Sequence, residues 1–435
     1  MSKPAKVLDL RIIATAAYLI AGVLSGHVHA AEDQAQIHAS ALSLETVVEN
    51  AIRNRGEIVA AQARASALAQ RPTIVGALED PMVSPAIDHY PFDMMDEEGG
   101  SRYDWSVSIE QRFPLSRVRG HRRRAAQAEA VRAGAEAERT ALDVVAQAQR
   151  AFFMLRERRQ MNDVLTTQLA LARQIVDSAS ARYSSGTGSQ ADVLRAEVET
   201  ARVAAAQRAN TSQIRAAHFM LNVAMGLPAS EPIGDLDYSP AATTVPSRAS
   251  AEGTALSSRP ELRMGEAEID RALAEVEVMK SMYRPMAMIR AGRASTMAEG
   301  PGAMLMIGVS VPIWRGRLQA GVSEARSMER MARADLEAMK LMVAGEAAAA
   351  REEVEAAGET VRSLETEIIP RAAMAVDAAL AAYSSGQGSM VSVMDAFGAL
   401  WLARGDLVMA NAQRGEASVS LERALGRSAS KDEIP

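Results

Sequence analysis

"YSSGTGSQADVL" runs from Tyr183 to Leu194, and "YSSGQGSMVSVM" runs from Tyr383 to Met394, 200 residues further along the same chain. In each copy a Ser-Ser-Gly stretch offers a helix stop. A Gly-Ser pair then offers a tight turn and a serine N-cap for a returning helix. The residues ahead of the turns keep alternating three- and four-residue spacing: Leu169, Ala172, Val176, Ala179 and Tyr183 in one copy, Ile369, Ala372, Val376, Ala379 and Tyr383 in the other. That spacing marks a coiled-coil seam. The two stretches therefore read as the reversals of two long antiparallel helical hairpins, and the chain as an internal duplication.

Further matches extend the repeat. "AIRNRGEI" from Ala51 resembles "ALSSRPEL" from Ala255, which places Arg55 and Glu57 opposite Arg259 and Glu261. "IEQRFPLSRVRG" ending at Gly120 resembles "VSVPIWRG" ending at Gly316. Each half reads as an opening helix, two strands, a very long helix, a turn and a returning helix. The long helices are expected from near Ser116 to Tyr183 and from Arg317 to Tyr383, and at 1.5 Å per residue the first spans about 100 Å. The opening helices are expected over about Leu44 to Gln70 and Ala255 to Met282, and the returning ones over Gln190 to Gly226 and Met390 to Gly426. The divisions are a signal peptide at 1–30, a first repeat at 31–226, an equatorial connector rich in Pro, Gly and Ser at 227–250, a second repeat at 251–427 and a tail at 428–435.

The start of the chain has the pattern of a secretory signal: Lys3, Lys6 and Arg11 precede the apolar Ile12–Gly26, and Val28 and Ala30 suit cleavage. The chain has no cysteine, so disulfides, thiolate metal sites and a lipidated N-terminal cysteine are excluded. Aromatic residues make up 4% of the chain and the net charge is −6, which fits helices packed on small side chains better than a large aromatic core. No later segment offers some 18 consecutive apolar residues, so a membrane could be crossed only by a closed barrel.

Strands with one apolar face exist for such a barrel. Trp105, Val107, Ile109 and Phe113 alternate with Ser106, Ser108, Glu110 and Arg112, and Leu305, Ile307, Val309, Val311 and Ile313 alternate with Met304, Met306, Gly308 and Ser310. Two fainter strands, about Pro81 to His89 and Arg284 to Ser295, precede them, with tips at "YPFDMMDEEGGSRY" and "TMAEGPG"; their facing is open, and a soluble two-hairpin sheet is the alternative. Four strands cannot close a barrel, so the wall has to be shared, and three copies give twelve strands. Tyr90, Tyr103 and Trp105 toward the tip, and Phe113, Tyr283 and Trp314 toward the helices, are placed as an interfacial girdle would be.

With these features the chain resembles the outer-membrane efflux protein family, the TolC-like channels, on its paired turns, its strand-ending "FPL" and "VPI" segments and its "SRPEL". "LEDPMVSPAIDHYPFDM" is similar to the heavy-metal cation-efflux branch. The resemblance implies a fold that is mainly α with a small β part: a long antiparallel α-helical barrel and a twelve-stranded transmembrane β-barrel formed by a homotrimer in outer-membrane lipid. It implies a passive duct joined to a periplasmic adaptor protein and an inner-membrane pump. By the same resemblance Asp395 falls at one of the acidic positions that ring a periplasmic gate, while Ser392 stands where the family commonly has a second acid; Asp192 and Arg195, in the matching stretch of the first half, would supply gate charge instead. Gly186, Gly188, Gly386 and Gly388 would form the turns on which adaptor hairpins dock. Solvated residues near helix starts are the other reading of the three charges. An exit duct for a secreted polypeptide and a periplasmic coiled-coil adaptor without a barrel are the other functional readings.

No catalytic constellation, cofactor site or nucleotide loop is expected: the histidines lack ligand spacing, and "GTGSQA" and "GQGSMV" lack a third glycine. The 24 methionines, with Met286, Met288, Met304 and Met306 in alternation, fit either soft-cation contact or ordinary packing. The basic "SRVRGHRRR" at Ser116–Arg124 lacks interleaved aromatics, so nucleic acid is not expected. Contact with inner-leaflet phosphates or simple solvation accounts for it.

Overall fold

The computed structural model describes residues 41–88, 104–238, 245–296 and 299–427. The signal peptide, the first strand tip with Tyr90 and Tyr103, and the tail lie outside the described residues. Chain order is β1 Leu42–Ser43, α1 Leu44–Asn54, α2 Gly56–Gly76, β2 Met82–Asp88, β3 Asp104–Pro114, α3 Val118–Ser184, α4 Gln190–Ala224 and β4 Leu236–Asp237. The second half adds α5 Arg248–Ser258, α6 Pro260–Ser281, β5 Met286–Thr296, β6 Gly300–Ser310, α7 Arg315–Ser363, a π-turn at Leu364–Ile368, α8 Ile369–Ser384 and α9 Met390–Ala424.

The helices form a layer of four columns. The long α3 packs against α2 and α4 on one side and against α6 and α9 on the other, and α7 lies against α6 and α9. Alanines fill these contacts: Ala148, Ala179, Ala347 and many others are fully buried. Glycine does the same where α9 crosses α3, because a side chain at Gly415 would begin 2.5 Å from the Phe153 ring. Phe152 and Phe153, packed against Tyr238, supply an aromatic cluster near the connector, with the Phe153 and Tyr238 rings 5.1 Å apart.

Three sequence expectations need correction. Each opening helix is two helices: α1 breaks from α2 at Arg55, and α5 from α6 at Arg259, both with extended backbone. Pro260 forces that conformation on its predecessor in the second half. In the first half Gly56 stands at the place of Pro260, and α2 continues past Gln70, through Pro72, to Gly76. The connector is not free of regular structure, since its β4 pairs in parallel with β1 and α5 begins at Arg248. Finally β6 spans Gly300–Ser310, so Val311 and Ile313 fall after the strand.

The large sheet has order β2-β3-β5-β6, antiparallel throughout. Its register settles the facing of the fainter strands. Val83 and Ile87 lie beside Ile109 and Trp105, and Ile289 beside Ile307, so all four strands contribute to one apolar face, most of it exposed. The opposite face carries Arg112, Arg290, Glu110 and the four methionines Met286, Met288, Met304 and Met306. Glu110 is buried there between Arg290 and Arg112. No helix among the described residues is long and apolar enough to cross a membrane.

Candidate gate and docking site

Both helix turns are built alike. α3 ends at Ser184, the Gly186 and Thr187 amides return to the Tyr183 and Arg182 carbonyls at 3.0 and 2.9 Å, and Gly186 takes φ +73°. Gly386 repeats this with φ +81°. These left-handed positions favour glycine. Gly188 answers a different need, since a Cβ there would sit 2.9 Å from the Tyr183 amide nitrogen. Ser189 and Ser389 then cap α4 and α9, accepting from Ala191 and Ser392 amides at 3.1 and 3.2 Å.

The surroundings of the two turns differ. Tyr383 is 2% exposed while Tyr183 is 51% exposed, although the sequence writes them identically. Tyr383 is buried in a cluster with Ala179, Val393 and Phe397, and Arg182 covers it. Its guanidinium lies 4.6 Å from the Tyr383 ring centre, donates to the Tyr383 carbonyl, and donates to the Thr187 carbonyl at 2.9 Å. The Tyr383 hydroxyl donates to the Asp192 carboxylate at 3.4 Å. Burial, and then the Asp192 charge, push the Tyr383 phenol up, so it stays a neutral donor at any physiological pH. One arginine thus links the end of the first hairpin to the end of the second.

Of the residues named from sequence, Asp192 joins this linkage, whereas Arg195 and Asp395 are exposed at the starts of α4 and α9 and form no ion pair with each other among the described residues. Arg182 was not anticipated. Its signal was present as the one difference between "ARYSSG" and "AAYSSG", where Ala382 stands opposite.

A second pair of constellations explains the Arg-x-Glu match. Asn54 and Arg55 meet the end of α4: Arg55 donates to the Val223 and Ala224 carbonyls at 3.3 Å and is held by Glu57 at 2.7 Å and Gln147 at 2.9 Å. These are carbonyls that a helix end leaves without intrahelical partners. In the second half Arg259 donates to the Ala424 carbonyl at 3.4 Å and pairs with Glu261 and Glu346. There Arg423 adds contacts to Glu261 at 2.7 Å and Asp143 at 2.6 Å. Each arginine locks an upper helix onto the end of a lower one, which makes two short helices act as one column beside a long one.

A duplicated helical hairpin carried on a four-stranded sheet with one apolar face is the architecture of a sector of channel wall. The chain belongs to the outer membrane efflux protein family, whose model matches residues 47–227 and 253–427. The cobalt-zinc-cadmium resistance protein CzcC of Cupriavidus metallidurans is 25% identical over 291 residues, covering 66% of this chain and 68% of CzcC. The outer membrane efflux protein BepC of Brucella suis is also 25% identical over 291 residues, but the match spans only 62% of BepC's length. The solved outer-membrane channel OprN superposes with a TM-score of 0.76 at 18% identity, over 88% of this chain and 90% of OprN.

Proposed function

We propose that this chain is the outer-membrane channel of a tripartite efflux system: a passive homotrimeric duct that takes substrate from a periplasmic adaptor protein and an inner-membrane pump to the exterior. The observation that carries this is the sheet. Its outer strands β2 and β6 each have one neighbour among the described residues, and its exposed face is apolar. Backbone groups along such edges cannot be left unpaired in lipid, so copies have to complete one another. Three sheets of four strands make a closed twelve-stranded wall.

In this reading the paired turns form the periplasmic end. Asp192, Arg195 and Asp395 supply charge around the opening, Arg182 and Tyr383 hold the two hairpins together when it is closed, and Gly186, Gly188, Gly386 and Gly388 let adaptor hairpins approach the backbone closely. Energy comes from the pump, and the duct catalyses nothing. The match to CzcC supports heavy-metal cations as substrates.

Membrane fractionation with amine cross-linking tests the assembly: recovery in the outer membrane with a trimeric cross-linked band is expected, and soluble periplasmic monomer would refute it. Growth of a deletion strain on cobalt, zinc and cadmium, against hydrophobic antibiotics, tests the substrate. Sensitivity confined to the metals is expected, and sensitivity confined to the antibiotics would refute it.

A further inference from the structure

Where the large sheet hands over to the helices, a cavity of about 660 Å³ is lined by Pro114, Leu115, Ser116, Arg117, Lys280, Ser281 and Arg284. Three of these side chains are cationic and none is acidic. Lys280 is engaged by Glu277 at 2.6 Å, but the exposed Arg117 and Arg284 guanidinium groups have no ion pair or hydrogen bond among the described residues.

The cavity also borders the apolar face. The Leu115 amide donates to the Pro285 carbonyl at 3.3 Å, which continues the β3–β5 ladder by one residue and puts Leu115 in the alternation of Ile109 and Phe113. Leu115 is 58% exposed, as a residue facing acyl chains would be. An oily surface ending in two unpaired guanidinium groups matches a molecule with apolar chains and a phosphate at their end. Guanidinium binds phosphate oxygens in a fork, and an anionic leaflet adds attraction for each cation near it.

We propose that this cavity binds the phosphate of a membrane phospholipid, with Arg117 and Arg284 as its ligands and Lys280 as a flanking charge, so that each subunit is fixed in depth by a lipid of the leaflet nearest the helices. This rests on the outer-membrane reading, because only there does a leaflet border the junction.

The test uses the purified full-length protein in neutral detergent, titrated with phosphatidylglycerol, with phosphatidylcholine and with inorganic phosphate, while thermal unfolding and bound lipid by native mass spectrometry are recorded. The variant is Arg117→Gln/Arg284→Gln, and Arg173→Gln/Arg208→Gln on the lower helices is the control. Phosphatidylglycerol is expected to raise the midpoint of the parent and the control. The double variant is expected to need at least tenfold more lipid, with an unchanged oligomer and helix content. Equal lipid affinity in parent and variant would overturn the proposal, and so would inorganic phosphate competing at equal concentration, which would mark a site for free phosphate. Fractionation separately reads the channel assignment, so failure of one is distinguishable from failure of the other.

Discussion

The two halves of the chain use one plan with different tolerances, and the long helices show it best. Along their upper parts Val144, Ala148, Ala151, Leu155 and Leu165 are buried, and so are Val343, Ala347, Ala350, Val354 and Leu364, each 199 residues later. At the turns the offset is 200, from Tyr183 to Tyr383. The second half therefore carries one extra residue between Leu364 and Ile369. The π-turn lies there, closed by the Ile369 amide on the Leu364 carbonyl. A π-turn is how a helix absorbs a single insertion without rotating the turns beyond it. Pro370, opposite Ala170, sits just after it and would clash with the carbonyl four residues back in a regular helix. The first half has no such slack, and α3 runs unbroken for 67 residues.

The sharpest way to break this comparison is deletion. Removing Thr166 from α3 should turn everything below it by about 100° and abolish folded protein. Removing Glu365 together with Pro370→Ala should leave helix content and oligomer intact. Circular dichroism and native gels of the two deletions read the difference, and equal outcomes would end the claim that the π-turn is a surplus residue.

The joints differ next. Arg259 and Glu261 are only 7% and 11% exposed at their side chains, whereas Glu57 is 56% exposed. Arg259→Ala should leave the buried Glu261 with Arg423 as its one remaining partner among the described residues and lose about 3–5 kcal/mol. Arg55→Ala, which gives up hydrogen bonds beside an exposed acid, should lose about 1–3 kcal/mol. Chemical unfolding in detergent orders the two, and a larger loss at Arg55 would reverse the reading.

At the turns the expected effect is functional. Arg182→Ala should loosen the contact between hairpins and raise susceptibility to a large antibiotic several-fold, while Tyr183→Ala, at the exposed counterpart, should leave it unchanged. Matching phenotypes would show that Arg182 does not distinguish the turns.

The smallest effect concerns acid. The Arg55 guanidinium, then the Glu57 amide, hold the Glu57 carboxyl down at about 2. Its contribution is present above the ordinary carboxylate range near 4.5 and fades as pH falls from there toward 2. Solvent around this exposed acid keeps the contribution to a few tenths of a kcal/mol. Glu261 is also lowered: burial opposes ionisation, but Arg423 and Arg259 outweigh it. Comparing parent with Glu57→Gln at pH 6 and pH 3 should show a slight gain for the variant in acid, and a loss there would refute the pairing.

Much of this architecture was legible because duplication printed it twice. Tyr183 and Tyr383, with the glycines behind them, fixed both turns, and the alternation at Val107 and Ile109 fixed one sheet face. The features that escaped depended on contacts that local pattern does not encode. Arg55 and Arg259 read as ordinary residues inside a helix, because only the distant ends of α4 and α9 make it favourable to break the chain there. Leu42 and Leu236 form too short a ladder to leave a period. The facing of β5 was hidden by Arg290, whose charge is understandable only once Glu110 is across the ladder from it. The linkage between the turns escaped for the opposite reason: Arg182 broke a repeat, and a repeat is recognised by its matches.

The two sheet edges, β2 and β6, also carry a genetic consequence. In the proposed trimer a subunit's margins are finished by its neighbours, so a chain with a damaged margin but sound helices would still be recruited, and would spoil the assemblies it joined. Such alleles should behave as dominant in cells that also express the intact chain, and their harm should exceed their share of the pool.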